Sequence, residues 1–495
     1  MNPLLLTDGY KTGHHQQYPK GTTLVYSNFT PRSNKYAPKG CEQVVSFGQQ
    51  MVMKQIHDMF QTYFFNKPKD EVIAEIKQEM SWYLNTEYDV THFEALHDLG
   101  YLPIKVKGIE EGTLVPIRVP VLTIHNTHPD FYWVTNYLET VISNLLWKPM
   151  TSATIAHQYR KVLTKWMLKT DPERAWFIDW QGHDFSMRGM DSISATISSG
   201  LGHATSFMGS DSLPVIHGAR KFYGEQGPVV GSVNATEHSV MCAGTKDDEI
   251  GTFRRLLETY PTGILSVVSD TWDLWKVCTE HVVTLKEEIL ARDGKLVIRP
   301  DSGDPVDIIC GEQVISRDYR DVVENAQLDL THPKYKGVIE LLWDVFGGTV
   351  NEQGYKVLDS HIGAIYGDSI TIDRAEEICK RLEAKGFAST NIVLGVGSFT
   401  YQFNTRDTFG FAMKATYVEV NGEEREIFKD PITDDGTKKS ARGLLKVFRT
   451  TLENEVVLHD QCTWAEEEGG ILQTIYKDGK FVNVTTLTQI REKLK

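Results

Sequence analysis

The chain has 495 residues, 41% hydrophobic and 24% charged, the balance of an ordinary globular protein with material for two or three domains. A formal net charge of −14 argues against a general nucleic-acid surface, so cations for an anionic ligand have to be gathered locally. No apolar run reaches membrane-spanning length, no signal-peptide pattern opens the chain and the six cysteines lack metal-ligand spacing, which predicts a cytoplasmic protein with reduced core thiols and no membrane or nucleic-acid partner.

Residues 1–172 read as mixed. Asp8-Gly-Tyr-Lys11 precedes any strong periodic element, and His14-His15 reads as surface polarity rather than a ligand pair. Strands are expected at Leu24–Phe29, with Arg32 in the turn after it, and at Gln43–Phe47. Helical periodicity occupies 69–85 and 129–170, with a Pro/Thr-rich strand-and-turn region near 113–128 between them.

From about 175 the texture changes. Apolar runs end repeatedly in small or charged residues and lead into helical patterns: Ala175–Asp179 before Gly182–Phe185, Ala204–Phe207 before Gly209–Asp211, and Val229–Val233 before Glu237-His238. Ile264–Asp270, Lys295–Gly303, Ile362–Asp368 and Ile392–Gly397 follow, at spacings that fit one strand plus one helix. The longer gap between Asp301 and Asp368 predicts a polar helical excursion around 311–360. Such units in series predict an α/β fold, as a barrel or a doubly wound sheet. Polar residues gathered at strand C-termini favour a barrel with its active face at that end.

After about 400 the chain turns strand-rich, with Phe411–Val420, an Asn421-Gly422 hairpin signal and a basic segment around Lys429 and 438–442. The expected organisation is 1–172 and 401–495 forming a β-rich α+β domain, with 173–400 an irregular (β/α) barrel.

The densest chemistry lies in Lys295–Gly303. Alternation along a strand puts Val297, Arg299 and Asp301 on one face, with the two charges at the C-terminal end. A guanidinium beside a carboxylate suits a phosphorylated sugar, and a structural Arg–Asp pair satisfies the same pattern. Asp270, Asp301 and Asp368 recur at neighbouring strand ends, where hard oxygen ligands suit Mg²⁺ and ribose hydroxyls, although any one alone reads as a helix cap. Gly395-Val-Gly-Ser-Phe-Thr400 departs from a dinucleotide fingerprint at Thr400. It reads as a phosphate cradle, with Gly367-Asp368 a second edge, or as a tight turn. His238 alone reads as a structural histidine, and Phe185 with Arg188 as packing and a surface pair.

Taken together, Thr7–Lys11, His183–Gly189, Gly209–Asp211, Glu237–Ser239, Ser266–Asp270, Ile298–Gly303, Gly367-Asp368, Thr405–Asp407 and the motif at 428–431 resemble the nicotinamide phosphoribosyltransferases, of the type II phosphoribosyltransferase group. The resemblance covers nearly the whole chain. It implies transfer of phosphoribosyl from 5-phosphoribosyl-1-pyrophosphate to nicotinamide, with Mg²⁺, and a homodimer whose active sites are shared between subunits. It implies that Phe185 and the partner's Tyr10 sandwich the pyridine ring and that Asp211 accepts from its amide. Arg299 and Asp301 hold the ribose and ring region, and Gly367, Asp368, Gly397 and Ser398 line the ribose-phosphate site. Asp270 and Asp301 lie near the metal. Arg188, with Arg32, Arg406, Lys414 and Lys429 from the partner, surrounds phosphate and pyrophosphate. Asp8, Ser232 and Ser266 are further expected substrate contacts, and His238 matches a phosphorylated histidine that couples ATP hydrolysis to synthesis. The chain departs from the family pattern at Met187, Asn234 and Ser398.

Overall fold

The computed structural model describes residues 1–313, 331–429 and 440–495. Part of the excursion expected in 311–360 and most of the basic segment after Lys429 lie outside the described residues. Two compact units emerge: Met1–Ile155 with Ile216–Gly227 and Asn404–Lys495, and Ala156–Val215 with Pro228–Phe403.

The first unit is built on a seven-stranded antiparallel sheet. Its order is Glu423–Glu426, Ala412–Val420, Thr22–Thr30, Leu122–Asn126, Ile104–Ile109, Leu472–Lys477 and Lys480–Phe481, so strands from both ends of the chain interleave. Strand alternation explains its two faces. Val25 packs with Val418 and Val420, while the next residue, Tyr26, packs with Tyr417, Leu444 and Leu445. Asn421 and Gly422 take φ of 53° and 76°, the left-handed pair that a two-residue hairpin of this twist requires.

The segment Ile216–Gly227 belongs to this unit rather than to the barrel, contrary to the contiguous 173–400 expected from sequence. Its bonds explain why: Tyr223 Oη donates to Glu111 Oε2 at 2.9 Å, and Gln50 Nε2 donates to the Phe222 carbonyl at 2.8 Å. The unit boundaries fall at 155/156, inside the helix Glu139–Thr170, and at 403/404.

The second unit is an irregular parallel barrel. Its strands are β1 (Gly182–Asp184), β2 (Gly209–Ser210), β3 (Asn234–Ala235), β4 (Thr262–Val268), β5 (Asp293–Arg299), β6 (Ile362–Tyr366) and β7 (Ile392–Val396). The order is β2-β1-β7-β6-β5-β4-β3, and an isolated parallel bridge links Gly209 of β2 to Gly231, three residues before β3. Parallel strands put every C-terminal end on the same rim.

The strands β4 to β7 lie where their apolar runs predict. Ahead of them, three runs expected to be strands are not: Ala175–Asp179 falls in a 3₁₀ turn and the helix Ile178–Gln181, Ala204–Phe207 is the end of the helix Ile193–Ala204 and the turn after it, and Val229–Val233 is irregular apart from a bridge at Gly231; only two or three residues per unit extend afterwards. An apolar run alone does not distinguish a buried strand from a buried helical turn. Trp176 and Trp180, four apart, share a helical face, and both line the barrel cavity described below.

Candidate active site

The rim of the barrel collects the polar strand ends. Phe185 follows β1, Asp211 follows β2, His238 follows β3, Asp270 follows β4, Asp301 follows β5, Asp368 follows β6 and Ser398 follows β7. Arg299 ends β5, but it does not pair directly with Asp301: its Nη2 donates to the Thr236 carbonyl at 2.6 Å, and its Nε is buried without a partner among the described residues. Burial lowers the affinity of this guanidinium for its proton, while the charges of Asp301, Asp211 and Asp270 act in the opposite sense. Guanidinium basicity is high enough that Arg299 stays cationic.

Asp301 is held by its neighbour. Asp270 Oδ2 accepts from the backbone N–H groups of Asp301 at 2.9 Å and Ser302 at 2.8 Å, and from the Ser302 hydroxyl. The other oxygen of Asp270 is buried with no hydrogen-bond partner among the described residues. His238 faces both carboxylates, with Nε2 3.2 Å from Asp301 Oδ1 and 4.0 Å from Asp270 Oδ1.

Asp211 stands across from this group. Its Oδ1 lies 2.9 Å from His183 Nε2 and accepts from Ser232 Oγ. Burial alone opposes ionisation here, but the bonds from His183 and Ser232 and the charges of His183 and Arg299 hold the carboxyl below its ordinary value. The ring of Phe185 packs on His183 with centroids 4.5 Å apart.

Behind these residues a cavity of about 540 Å³ runs into the barrel. Phe185, Asp211, Ser232, Ser266 and Arg299 line it on the rim side. Along β5 the same wall continues through Val297 to Lys295, where Arg174, Trp176 and Trp180 also contribute. Ser266 Oγ, like Arg299 Nε, is buried without a hydrogen-bond partner among the described residues. Buried polar atoms in native proteins are satisfied almost without exception, so two orphans in one cavity wall mark a place for a polar ligand.

The loops after β6 and β7 are closely fitted. A Cβ on Gly397 would lie 2.6 Å from Asp368 Oδ1, and a Cβ on Gly189 would lie 2.1 Å from Ser398 Oγ. The loop carrying Arg188 is therefore seated on Ser398, one of the positions where this sequence departs from the family pattern. Arg188 itself is exposed.

The remaining expected residues lie in the first unit. Asp8 begins the 3₁₀ turn Gly9–Gly13, and its Oδ2 accepts from Thr140 Oγ1 at 2.7 Å. Tyr10 is 68% exposed, with Asp8, Glu139 and Arg406 close enough to act on its hydroxyl. Arg32 Nε donates to the Gly410 carbonyl at 2.9 Å. Burial depresses the Lys414 ammonium below its ordinary value; Glu139 opposes this, and Arg32, Lys429 and Lys11 reinforce it. Four cations thus share one neighbourhood in a chain of net negative charge.

Sequence reasoning passed over several of these residues. Lys11 is buried and bridges Glu139 at 2.8 Å. His183 was legible only as part of a motif. Lys295 carried a signal, since it precedes Val297 and Arg299 by the two-residue strand repeat and so shares their inward face. His15 is not simple surface polarity, because its ring stacks on His92 with centroids 3.8 Å apart. Cys242 is exposed, whereas the other five cysteines are buried, and none of the six is in a disulfide.

Residues 180–480 match the nicotinate phosphoribosyltransferase family, and residues 2–105 match the nicotinamide phosphoribosyltransferase N-terminal domain. The chain belongs to the nicotinate phosphoribosyltransferase family. Among relatives in this family, a nicotinamide phosphoribosyltransferase of Acinetobacter baylyi is 49% identical across 100% of this chain and 97% of its own length. One from Xanthomonas campestris pv. campestris is 32% identical across 99% and 97%. The fold matches human nicotinic acid phosphoribosyltransferase with a TM-score of 0.55 at 15% identity, covering 99% of this chain and 92% of that one. It also matches the nicotinate-nucleotide pyrophosphorylase of Pyrococcus furiosus, with a TM-score of 0.53 at 14% identity, over 100% and 95%.

Proposed function

We propose that this phosphoribosyltransferase transfers the phosphoribosyl group of 5-phosphoribosyl-1-pyrophosphate to nicotinamide, releasing nicotinamide mononucleotide and pyrophosphate in NAD salvage. The observation that carries the reading is the rim of the cavity, where an aromatic face, a fixed carboxylate and an arginine surround space for a planar amide. The base is the one named for its relatives, and the residues supply a reason for it. Asp211, kept ionised, accepts a hydrogen bond from an amide N–H and repels the carboxylate of nicotinate. Phe185 offers its face to the ring, and favours the cationic pyridinium product over the neutral base.

In the reaction the ring nitrogen attacks C1 of the ribose. The C1–O bond to pyrophosphate breaks, and the electron pair leaves on the pyrophosphate oxygen. Asp301 and Arg299 hold the sugar so that the two reacting atoms are aligned, which removes an entropic barrier. The loops at Asp368 and Gly397-Ser398 present backbone N–H groups to the 5-phosphate, while the Gly367 N–H is donated to the Pro300 carbonyl at 3.0 Å and fixes the first loop beside Asp301.

The residues present fit a divalent cation. The buried Asp270 Oδ1, unpartnered among the described residues, and the nearby Asp301 Oδ1, which His238 Nε2 meets at 3.2 Å, are hard oxygen donors suited to such an ion. Mg²⁺ bound there would neutralise charge developing on the leaving pyrophosphate. Within the barrel unit Arg188 and Arg299 are the rim arginines, too few for a substrate of so many negative charges. We assign Arg32, Arg406, Lys414 and Lys429, with Tyr10 and Asp8, to the site of the partner subunit in a homodimer, so that each active site draws on both chains. In the same reading an imidazole nitrogen of His238 attacks the γ-phosphorus of ATP. The N–P bond forms, the P–O bond to ADP breaks, and hydrolysis of the phosphohistidine is coupled to synthesis.

Among the described residues no helix is long and apolar enough to cross a membrane. Six cysteines outside any disulfide suit a reducing compartment, which supports a cytoplasmic location. The test is direct: folded protein is incubated with 5-phosphoribosyl-1-pyrophosphate, Mg²⁺ and either nicotinamide or nicotinate. Formation of nicotinamide mononucleotide is expected. Its absence would overturn the reading, and comparable turnover of nicotinate would remove the role given to Asp211.

A further inference from the structure

His238, Asp270 and Asp301 bring one ligand atom each to within 4.8 Å of one another, the only such His/Cys/Asp/Glu group among the described residues. Two details go beyond a cluster of acids. The Asp270 side chain is only 5% exposed, and its Oδ1 has no hydrogen-bond partner among the described residues while it faces His238 Nε2 at 4.0 Å. On the other ring edge, His238 Nδ1 lies 3.0 Å from Thr271 Oγ1, a bond that fixes the ring so that Nε2 points at both carboxylates. A proton on Nε2 serves Asp301 Oδ1 at 3.2 Å but does not reach the buried Asp270 Oδ1 at 4.0 Å, whereas a cation between the three atoms serves both carboxylates.

We propose that these three atoms form one mixed nitrogen and oxygen cation site in which His238 Nε2 is a direct ligand. It would prefer Mn²⁺ or Co²⁺ to Mg²⁺. The inference rests on the reading of Asp270 and Asp301 as the metal carboxylates and adds the imidazole to them. Mg²⁺ takes oxygen ligands by preference, whereas an imidazole nitrogen suits the later divalent ions. The spacing fits a single ion. Octahedral ligands at about 2.1 Å lie about 3 Å apart when adjacent and about 4.2 Å apart when opposite. The 3.2 Å and 4.0 Å separations from Nε2 match these two cases. A fixed histidine and two aspartates with room for further ligands also match a transition-metal set that leaves positions for substrate oxygens. An imidazole nitrogen that has given its lone pair to a metal has none to give to phosphorus, so metal occupancy and phosphorylation exclude each other at Nε2.

The test needs no turnover. Mn²⁺ is titrated into the full chain and followed by electron paramagnetic resonance, and the bound ion is examined by electron spin echo envelope modulation for coupling to ¹⁴N. One tightly bound Mn²⁺ with imidazole ¹⁴N modulation is expected. His238→Gln should abolish the modulation and weaken Mn²⁺ by at least about tenfold while changing Mg²⁺ affinity, read by competition, much less. Asp270→Asn should weaken both ions. If Mn²⁺ binds and Asp270→Asn weakens it, but ¹⁴N modulation is absent or survives His238→Gln, the imidazole is not a ligand. The inference then fails while the carboxylate reading stands. If neither ion responds to Asp270→Asn, both fail.

Discussion

Replacing Asp211 by Asn tests how the site chooses its base. Asp211 Oδ1 is occupied by His183 at 2.9 Å and by Ser232, which leaves the other oxygen for the substrate amide. A hydrogen bond to a charged acceptor is worth about 1.5–3 kcal/mol, and the side chain's 41% exposure argues for the lower end. The repulsion between this carboxylate and that of nicotinate, at about 5 Å and an effective dielectric of about 20, amounts to about 3 kcal/mol, reduced to roughly 1–2 by screening. Asn keeps the shape and removes the charge. The loss for nicotinamide and the relief for nicotinate together come to about 3 kcal/mol, roughly a 100-fold change in relative preference. The assay is kcat/KM for each base at saturating 5-phosphoribosyl-1-pyrophosphate, in wild type and D211N. An unchanged ratio of the two values would refute the argument, whatever happens to absolute rates.

His238→Ala is expected to abolish stimulation of synthesis by ATP and the accompanying hydrolysis, while basal transfer persists; phosphorylated protein recovered from this variant would refute the role given to His238. Gly397→Ala places a methyl 2.6 Å from Asp368 Oδ1, so KM for the pyrophosphate donor should rise at least about tenfold with little change in thermal stability. An equal KM would show that the two loops do not hold the phosphate. Glu111 offers a test of the first unit's core: burial pushes its carboxyl up to about 7 from 4.5, against the hydrogen bonds it accepts at the start of the helix Gln49–Phe60. Because the folded value is raised, the folded state binds the proton more tightly, and stability is lost as pH rises from about 4.5 to about 7. That loss is about 3 kcal/mol at most. Glu111→Gln should therefore gain on wild type in apparent Tm between pH 5 and pH 8, and parallel curves would contradict the assignment.

The barrel was legible in the sequence where strands were long enough to show as buried apolar runs. From β4 onward each run ends in the residue that the rim uses. The first three strands are two or three residues each, too short to outweigh neighbouring apolar residues that form helical turns instead. The migration of Ile216–Gly227 to the other unit could not be read either. It depends on Tyr223 and Phe222 meeting Glu111 and Gln50, and no local pattern encodes bonds between residues so far apart in the chain.

Residue types and their order in the chain determined the chemistry on offer: arginine and carboxylates at strand ends, small residues in the loops after β6 and β7, an aromatic after β1. Those are properties of side chains and of the period-two strand repeat, which act locally. The tertiary structure decided how these groups pair. Arg299, the last residue of β5, and Asp301, in the loop after it, turn to different partners, the Thr236 carbonyl and His238, because the segment after β3 brings those groups beside them. Likewise Asp270 spends one oxygen on the loop of Asp301 and leaves the other unpartnered. Which bonds form is set by what the folded barrel places within about 3 Å, and no stretch of sequence specifies that by itself.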